Sequence, residues 1–429
     1  MKNMANPRKS AVRALIKVDA DGGYSNLVID SVIKQDGLSG ADASLAAALF
    51  YGVLDRKITV DYILSKYSKQ PVKKLPYLVS ASLRIGAYQL LYMDRIPAFA
   101  AINESVNIVK HSKNANSAGY VNAVLHKVDR EKDAALPADD SVKSLSIRYS
   151  FPEWIVSRLC SQYGVKKAQC VFAAMLKKSS VYLRVNTVKT SCDELIKLLA
   201  EENVSAEKTE VENSLRILSL GEAVDRLNAY NKGLFHVQDL SSQMCAAALD
   251  LRENMRVLDI CAAPGGKSFT AAQMMNGMGE VVSCDLYEHR VKLISDGAKR
   301  LSLGNITAKV ADASVYDGSL GQFDRVLCDA PCSGLGIMGR KPDIKYKKEE
   351  EIADLPEIQY NILKNAVKYV KPKGKIVYST CTLLREENEG VFDRFIAENP
   401  HFKELSKKTL LPCDSDTDGF FISVAERID

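Results

Sequence analysis

Apolar residues recur at helical spacing throughout residues 1–130. Three stretches have this spacing, and their apolar positions are Val79, Leu83, Gly86 and Leu90, then Ile102, Val106 and Val109, then Val121, Leu125 and Val128. Pro71, Pro76 and Pro97 bound the helical stretches. Residues 131–140 are polar and aperiodic and include a proline, which is typical of a linker. We therefore predict an all-α domain over residues 1–130.

The pattern changes after the linker. Residues 181–186 have the composition of a strand and 193–201 the period of an amphipathic helix, which predicts a small α+β domain over residues 141–232. From residue 233 to 429, short apolar runs alternate with helical stretches. The runs predict strands at 256–260, 280–285, 306–310, 324–329 and 375–379, with helices that begin near Lys267, His289, Glu357 and Glu386. This alternation indicates a parallel, doubly wound α/β domain.

Composition places the chain among globular proteins with more than one domain. It has 429 residues, of which 46% are hydrophobic and 26% charged, and it contains no apolar run of the ~18–20 residues that a membrane span needs. The first residues lack the apolar stretch of a signal peptide, so we expect a cytoplasmic protein and no membrane partner. Its ten cysteines are then expected to be reduced thiols. With five histidines and no CxxC pair, we expect no metal site.

Positive charge is concentrated in the predicted all-α domain. Residues 1–130 hold 18 Lys and Arg against 10 Asp and Glu, whereas the remainder holds 40 against 43. A basic module joined to a nearly neutral one is typical of proteins that bind a polyanion. An ordinary solvated surface has the same appearance, so charge alone leaves both interpretations open.

The turn after the first predicted strand of the α/β domain has the features of a cofactor site. In an open α/β sheet, a nucleotide-like ligand binds at such a turn. Here it reads Asp259-Ile-Cys-Ala-Ala-Pro-Gly-Gly-Lys267, where Gly265 and Gly266 allow a ligand to approach the backbone closely. A phosphate-binding P-loop requires glycine where this chain has Cys261, and G-x-G-x-x-G is absent. The turn therefore fits neither a P-loop NTPase nor an ordinary NAD enzyme.

Four aspartates occur at or just beyond successive predicted strands: Asp259, Asp285, Asp312 and Asp329. A carboxylate at the position of Asp285 can accept hydrogen bonds from both hydroxyls of a ribose, and Asp312 is placed to receive an adenine amino group. Aspartates at strand ends also cap the helices that follow them. Their recurrence at four strand ends favours a binding site.

Two cysteines follow predicted strands. Cys332 lies in Asp-Ala-Pro-Cys-Ser-Gly (329–334), and Cys381 lies in Ser-Thr-Cys-Thr (379–382). A thiolate at a strand end is well placed for covalent attack on a bound base. A cysteine retained for packing usually lies within a strand instead.

These segments carry a resemblance to a known family. Residues 261–267, 329–334 and 379–382 resemble the three signature motifs of RNA cytosine-5 methyltransferases, and the basic stretch 340–345 is typical of them. Residues 101–106 and 120–125 resemble a NusB-type RNA-binding domain. The combination, over nearly the whole chain, is similar to bacterial 16S rRNA cytosine-5 methyltransferases with a NusB-like N-terminal domain. It implies a Rossmann-like C-terminal methyltransferase domain, S-adenosyl-L-methionine as cofactor and 16S rRNA as partner.

The resemblance also implies residue roles. Cys381 is the implied nucleophile and Cys332 assists product release. From the chemistry of the addition, Asp329 is the candidate acid that hydrogen-bonds N3 of the cytosine, which would require a raised pKa. DNA cytosine methyltransferases instead use a Pro-Cys cysteine as nucleophile, which corresponds to Cys332. The implied cofactor-binding residues are Cys261, Ala262, Ala263, Pro264, Gly265, Gly266, Lys267, Asp285, Asp312 and Asp329.

Two other functions are compatible with the sequence. The catalytic motifs are shared with tRNA cytosine-5 methyltransferases, so the substrate can instead be tRNA. A NusB-like domain with a basic surplus is also compatible with a non-catalytic RNA-binding assembly or antitermination factor. Retention of both cysteines and of the strand-end aspartates argues against this last function.

Overall fold

The chain folds into two packed units. The computed structural model describes residues 6–21, 25–131, 136–177, 179–221 and 223–429, so part of the predicted linker (132–135) lies outside the described residues. Unit 1 holds Met1–Leu176 together with Lys341–Tyr346, and unit 2 holds Lys177–Arg340 and Lys347–Asp429. A packed unit can contain more than one domain, so this division does not test the predicted boundaries near residues 130, 141 and 232.

Unit 1 is helical, which confirms the predicted all-α fold of the first domain. Its helices are α1 (Pro7–Asp21), α2 (Ser25–Asp36), α3 (Gly40–Tyr67), α4 (Tyr77–Tyr92), α5 (Ala98–Lys110), α6 (Ala118–Arg130), α7 (Val142–Tyr149), α8 (Glu153–Tyr163) and α9 (Val165–Met175). Apolar residues of α3 are buried in two clusters, one shared with α1, α2 and α4 and the other with α4, α5 and α6. Helix α7 is tied to α3, because the Thr59 hydroxyl donates to the Ile147 carbonyl at 2.6 Å.

A short distant segment completes unit 1. Within Lys341–Tyr346, the Lys345 side chain is 0% exposed, and its Nζ donates to Oδ1 of Asp55 at 2.6 Å. The same ammonium lies 4.0 Å from the centre of the Phe151 ring. The Tyr346 hydroxyl donates to the Leu54 carbonyl at 2.6 Å. A buried ammonium is tolerated only when it is paired. The burial of Lys345 therefore depends on its ion pair with Asp55.

The first sheet of unit 2 is small and antiparallel. It contains β1 (Val181–Val185), β2 (Ser205–Lys208), β3 (Ser214–Ser219) and β4 (Phe235–Val237) in the order β2-β3-β1-β4, with helices α10 (Cys192–Glu201) and α11 (Asn228–Asn231). The Ser191 side chain caps α10 by accepting from the Glu194 N–H at 3.2 Å. Leu195 and Leu199 on α10 are buried in one cluster with Leu183 of β1. The α+β prediction for this region is confirmed.

The second sheet of unit 2 has seven strands in the order β10-β11-β9-β8-β5-β6-β7. Its elements are α12 (Leu240–Ala247), β5 (Arg256–Asp259), α13 (Gly266–Met274), β6 (Glu280–Asp285), α14 (Glu288–Leu301), β7 (Ile306–Val310), β8 (Phe323–Asp329), α15 (Leu355–Ala366), β9 (Val370–Thr380), α16 (Glu389–Glu398), β10 (Phe402–Leu410) and β11 (Phe420–Arg427). Strands β5–β9 are parallel, as predicted. The prediction of a wholly parallel sheet is wrong at one edge, because β10 and β11 are antiparallel and were not predicted.

The central strands have apolar residues on both faces. In β8, Val326 and Cys328 belong to one core cluster, whereas Leu327 between them belongs to the other. This alternation with a period of two residues is the reason why the strand reads as a continuous apolar run. The carboxyl ends of β5, β6, β8 and β9 lie at one edge of the sheet, which brings the loops after them together.

The described ranges lack two kinds of feature. None of the helices there has both the length and the apolar character needed to cross a bilayer. The same ranges contain no group of three or more His, Cys, Asp or Glu side chains arranged to hold a metal ion.

Candidate active site

The predicted cofactor turn joins β5 to α13. Gly265 has φ +108°, and a Cβ atom there would lie 2.4 Å from the Phe269 ring, so this position requires glycine. Helix α13 begins at the next residue, Gly266, and among the described residues no side chain caps its first turn. The first N–H groups of α13 are therefore available to a carboxylate or another anionic group.

A buried amide lies beside this helix terminus. Gln238 is 6% exposed, and its Nε2 has no hydrogen-bond partner among the described residues. Thr270 orients the amide by donating its hydroxyl to Gln238 Oε1 at 2.6 Å. The Nε2 atom would be 3.6 Å from a Cβ at Gly266. An unused donor next to the first turn of α13 fits the carboxylate of an amino acid such as the methionine part of S-adenosyl-L-methionine.

Asp285 ends β6, and its carboxylate retains unused acceptor capacity. It is 4% exposed. Its contacts with protein donors are long: Ala263 N at 3.3 Å, Tyr287 N at 3.4 Å and Arg290 Nη2 at 3.5 Å. Arg290 also donates to the Ala263 carbonyl at 2.9 Å, which ties the cofactor turn to α14. A buried carboxylate with only long contacts has the acceptor capacity that a ligand diol needs, and the ribose contact of Asp285 stays a prediction.

Asp312 and Asp259 have local partners. Asp312 is exposed, and its Oδ1 accepts from the backbone N–H and hydroxyl of Ser314 at 2.8 and 2.6 Å; these hydrogen bonds lower the pKa of Asp312. Asp259 is buried and accepts from the Ser268 hydroxyl at 2.7 Å. Burial raises the pKa of Asp259 to about 7. Asp259 thus supports the first turns of α13, and the predicted adenine contact of Asp312 stays a prediction.

Lys267 and Asp329, predicted from separate motifs, form an ion pair. Lys267 Nζ lies 2.6 Å from Asp329 Oδ2, and the Ser379 hydroxyl donates to Asp329 Oδ1 at 2.7 Å. Although burial opposes the charge on Lys267, the adjacent Asp329 carboxylate raises the pKa of the ammonium above its usual value. The ends of β8 and β9 and the cofactor turn are therefore joined through the Asp329 side chain.

The two predicted catalytic cysteines are in contact. Cys332 Sγ lies 3.2 Å from Cys381 Sγ, and both residues are half-buried. The hydrogen bond with Cys381, together with burial, raises the pKa of the Cys332 thiol well above its usual value. Their loops also approach each other closely: Gly336 N donates to the Cys381 carbonyl at 2.9 Å, and a Cβ at Gly336 would lie 2.8 Å from the Cys381 carbonyl oxygen.

The structure adds residues that the sequence reasoning missed. Gln238 and Arg290 lie at the cofactor turn, as described above. Glu387 is a buried carboxylate that accepts hydrogen bonds from Ser333 and Thr382, the residues that follow Cys332 and Cys381. In the sequence, Glu387 stands in a charged run that reads as a solvated helix start.

Three family models match this chain in succession. The NusB family matches residues 5–130, the ferredoxin-like domain of RsmF/B-like methyltransferases matches 151–223, and the 16S rRNA methyltransferase RsmB/F family matches 246–425. The chain is 39% identical over 439 aligned residues to the probable ribosomal RNA small subunit methyltransferase B of Bacillus subtilis, covering 97% of each chain. It is 32% identical to the ribosomal RNA small subunit methyltransferase B of Proteus mirabilis, covering 100% of both.

A solved structure has the same fold over nearly the full length. The crystal structure of the protein PH0851 superposes with a TM-score of 0.80 at 24% identity and covers 98% of this chain and 99% of that one. A methyltransferase homologue from Pyrococcus horikoshii, at 25% identity and a TM-score of 0.61, covers 68% of this chain and 100% of its own.

Proposed function

Because the chain belongs to the ribosomal RNA small subunit methyltransferase B family, we propose that it transfers a methyl group from S-adenosyl-L-methionine to carbon 5 of a cytosine in 16S rRNA. The observation that carries the chemical part of this proposal is the contact of Cys332 and Cys381 at 3.2 Å, beside the ion pair of Lys267 and Asp329. Thiols from two strand ends thus meet next to the turn that fits the cofactor.

The cofactor supplies an electrophilic methyl group when bound. We assign its amino-acid end to the turn from Cys261 to Lys267, where α13 offers free N–H groups. Asp285 would accept hydrogen bonds from the ribose hydroxyls, and Asp312 would receive one from the adenine. Asp329 would lie beside the methyl group.

We assign the attack on the base to Cys381. Carbon 5 of cytosine is a poor nucleophile, and addition of a thiolate to carbon 6 makes carbon 5 electron-rich enough to take the methyl group. A base then removes the proton from carbon 5, and the bond between Cys381 and carbon 6 breaks. The raised pKa of Cys332 keeps this second thiol protonated, which suits assistance in release rather than attack.

Addition at carbon 6 requires a hydrogen bond or a proton at N3. Asp329 is the proposed partner, and it can donate only when its carboxyl group carries a proton. The Lys267 ammonium, 2.6 Å from Asp329 Oδ2, holds that carboxyl group in place. We therefore propose that Lys267 orients Asp329 toward N3.

The substrate must present its cytosine outside the base stack. An extruded or loop nucleotide of structured RNA can reach a thiol at a strand end, whereas a stacked base cannot. We propose that unit 1, with its basic surplus, supplies affinity for 16S rRNA in the cytoplasm. The names of the relatives favour this substrate over the tRNA alternative, and the paired thiols favour an enzyme over an antitermination factor.

Substitution of each cysteine tests the assignment. Cys381→Ala removes the proposed nucleophile and should abolish both methyl transfer and any covalent RNA adduct. Cys332→Ala should still permit attack and transfer but leave the intermediate unresolved, so a protein–RNA band should survive denaturing electrophoresis with little turnover. Cys413→Ala, at a half-buried cysteine outside the motifs, is the matched control.

Two outcomes would contradict this assignment. A stable adduct with Cys381→Ala, and none with Cys332→Ala, would reverse the two roles. Full activity in both variants would exclude a covalent mechanism. Bisulfite sequencing of 16S rRNA and tRNA from cells with and without the gene tests the substrate, because only the true target loses its 5-methylcytosine.

A further inference from the structure

One buried carboxylate connects the two loops that carry the thiols. Glu387 is 1% exposed. Its Oε2 accepts from the Ser333 backbone N–H at 2.8 Å, and its Oε1 accepts from the Ser333 hydroxyl at 2.5 Å and the Thr382 hydroxyl at 3.1 Å. Ser333 directly follows Cys332, and Thr382 directly follows Cys381. A single side chain therefore holds the neighbour of each thiol.

A helix supplies a further contact. Gln359 on α15 donates from Nε2 to Glu387 Oε2 at 2.8 Å and to the Pro331 carbonyl at 2.9 Å. Pro331 directly precedes Cys332, so this amide also restrains the other side of the cysteine. The Glu387 backbone is fixed as well, because the Tyr378 hydroxyl donates to its carbonyl at 2.5 Å.

The arrangement explains how a charged group can be buried there. A carboxylate removed from water is costly unless its oxygens receive several hydrogen bonds. Each carboxylate oxygen of Glu387 accepts two hydrogen bonds. A fully satisfied buried network of this kind specifies one arrangement of the loops it joins.

We propose that Glu387 is a positioning residue for the methyl transfer: it sets the separation of the Cys332 and Cys381 thiols by holding Ser333 and Thr382. The expected effect of Glu387 on the rate of methyl transfer rests on the proposed function, since it requires both thiols to act on one base. The expected effect on the distance between the two sulfur atoms is independent of that function, because this distance can be tested without RNA or cofactor.

Two substitutions separate positioning from charge. In Glu387→Gln, the amide oxygen can accept from Ser333 N and Gln359, while the amide NH2 can donate to the two hydroxyls, which also act as acceptors. This variant should keep the thiols in place without the charge. In Glu387→Ala, the donors of Ser333 and Gln359 lose this acceptor. The two loops then keep only the contact of the Ser333 and Thr382 hydroxyls at 2.7 Å and the hydrogen bond from Gly336 N to the Cys381 carbonyl.

The kinetic measurement is a comparison of kcat with binding. A displacement of about 1 Å at reacting groups lowers the rate roughly 100-fold, so Glu387→Ala should lose about this factor in kcat. Its KM for RNA and its dissociation constant for S-adenosyl-L-methionine should stay close to the wild-type values. Glu387→Gln should restore most of kcat. A control is Glu357→Ala on α15, whose side chain is 60% exposed.

The geometric measurement uses oxidation by diamide. The thiols of Cys332 and Cys381 lose two electrons and two protons to the diazene, which becomes a hydrazine, and one S–S bond forms. With the sulfur atoms 3.2 Å apart, the wild type and Glu387→Gln should form this disulfide readily. Glu387→Ala should form it roughly tenfold more slowly. Peptide mass mapping identifies the disulfide. Cys332→Ser, which cannot form it, is the negative control.

Different results would contradict the positioning role and the proposed function. A wild-type rate of cross-linking in Glu387→Ala overturns the positioning role, whatever the activity. Wild-type protein that cross-links as expected but methylates no 16S rRNA contradicts the proposed function and leaves the geometric role intact. If Glu387→Ala does not fold, Ser333→Ala removes one donor with less disturbance, and unchanged cross-linking and kcat in that variant then overturn the proposal.

Discussion

The carboxylate of Asp285 provides the most direct test of the cofactor site. Asp285→Ala removes a group that is 4% exposed and whose contacts with Ala263, Tyr287 and Arg290 are all 3.3 Å or longer. Because these contacts are long, the substitution costs the fold little hydrogen bonding, and most of the effect should fall on the ligand. Hydrogen bonds to a charged group contribute about 1.5–3 kcal/mol. The dissociation constant for S-adenosyl-L-methionine should therefore rise roughly 10- to 150-fold.

Isothermal titration calorimetry on the purified protein measures this effect directly. Asp285→Asn, which retains one acceptor oxygen without the charge, should give a smaller loss. The matched control is Asp317→Ala in the loop after β7, which removes an ion pair with Lys309 and should leave the affinity unchanged. Unchanged affinity for S-adenosyl-L-methionine in Asp285→Ala would show that Asp285 does not bind the ribose. Its role would then be limited to stabilising the turn before α14.

Two further predictions concern stability and RNA binding. Asp259 has a folded-state pKa of about 7 against an ordinary value of 3.8, so the folded protein holds a proton that the unfolded chain has lost, and stability falls as pH rises from 4 to 7. Asp259→Asn should remove up to about 2.5 kcal/mol of the loss between pH 5 and pH 8, measured by urea unfolding at these two pH values. A difference in stability between the two proteins that is the same at both pH values would contradict this prediction. Replacement of the exposed Lys69, Lys73 and Lys74 by Ala should reduce the slope of log K against log salt for RNA binding by about 2 if each contacts a phosphate. An unaltered slope would show that this part of unit 1 does not bind RNA.

The central strands were predictable because they are buried on both faces. Runs such as Val326, Leu327 and Cys328 stand out in a sequence, and their ends locate the loops with the motif residues. Strand β10 has no such signal: only Phe402 and Leu410 at its two ends are buried, and the residues between them include three lysines. Such polar edge strands protect a sheet against pairing with other chains, and they read as loops.

The candidate site was predictable only in part. Cys332, Cys381, Asp329 and Lys267 belong to motifs that were recognised in the sequence, and the structure brings them into contact in pairs. Glu387 was missed because acidic residues are mostly exposed, and nothing in its neighbours indicates burial. What buries it is the meeting of two loops and a helix that are distant in sequence, which depends on the tertiary fold.

The segment Lys341–Tyr346 has a consequence for protein engineering. Its residue Lys345 is buried against Asp55 in the helical unit, although the segment lies between the two cysteine motifs in the sequence. A chimaera that exchanges residues 1–176 for those of a relative would leave Lys345 facing a foreign surface, and any loss of its carboxylate partner would leave an uncompensated buried charge. The transplantable module is therefore discontinuous, and a functional graft must carry these six residues with the helices.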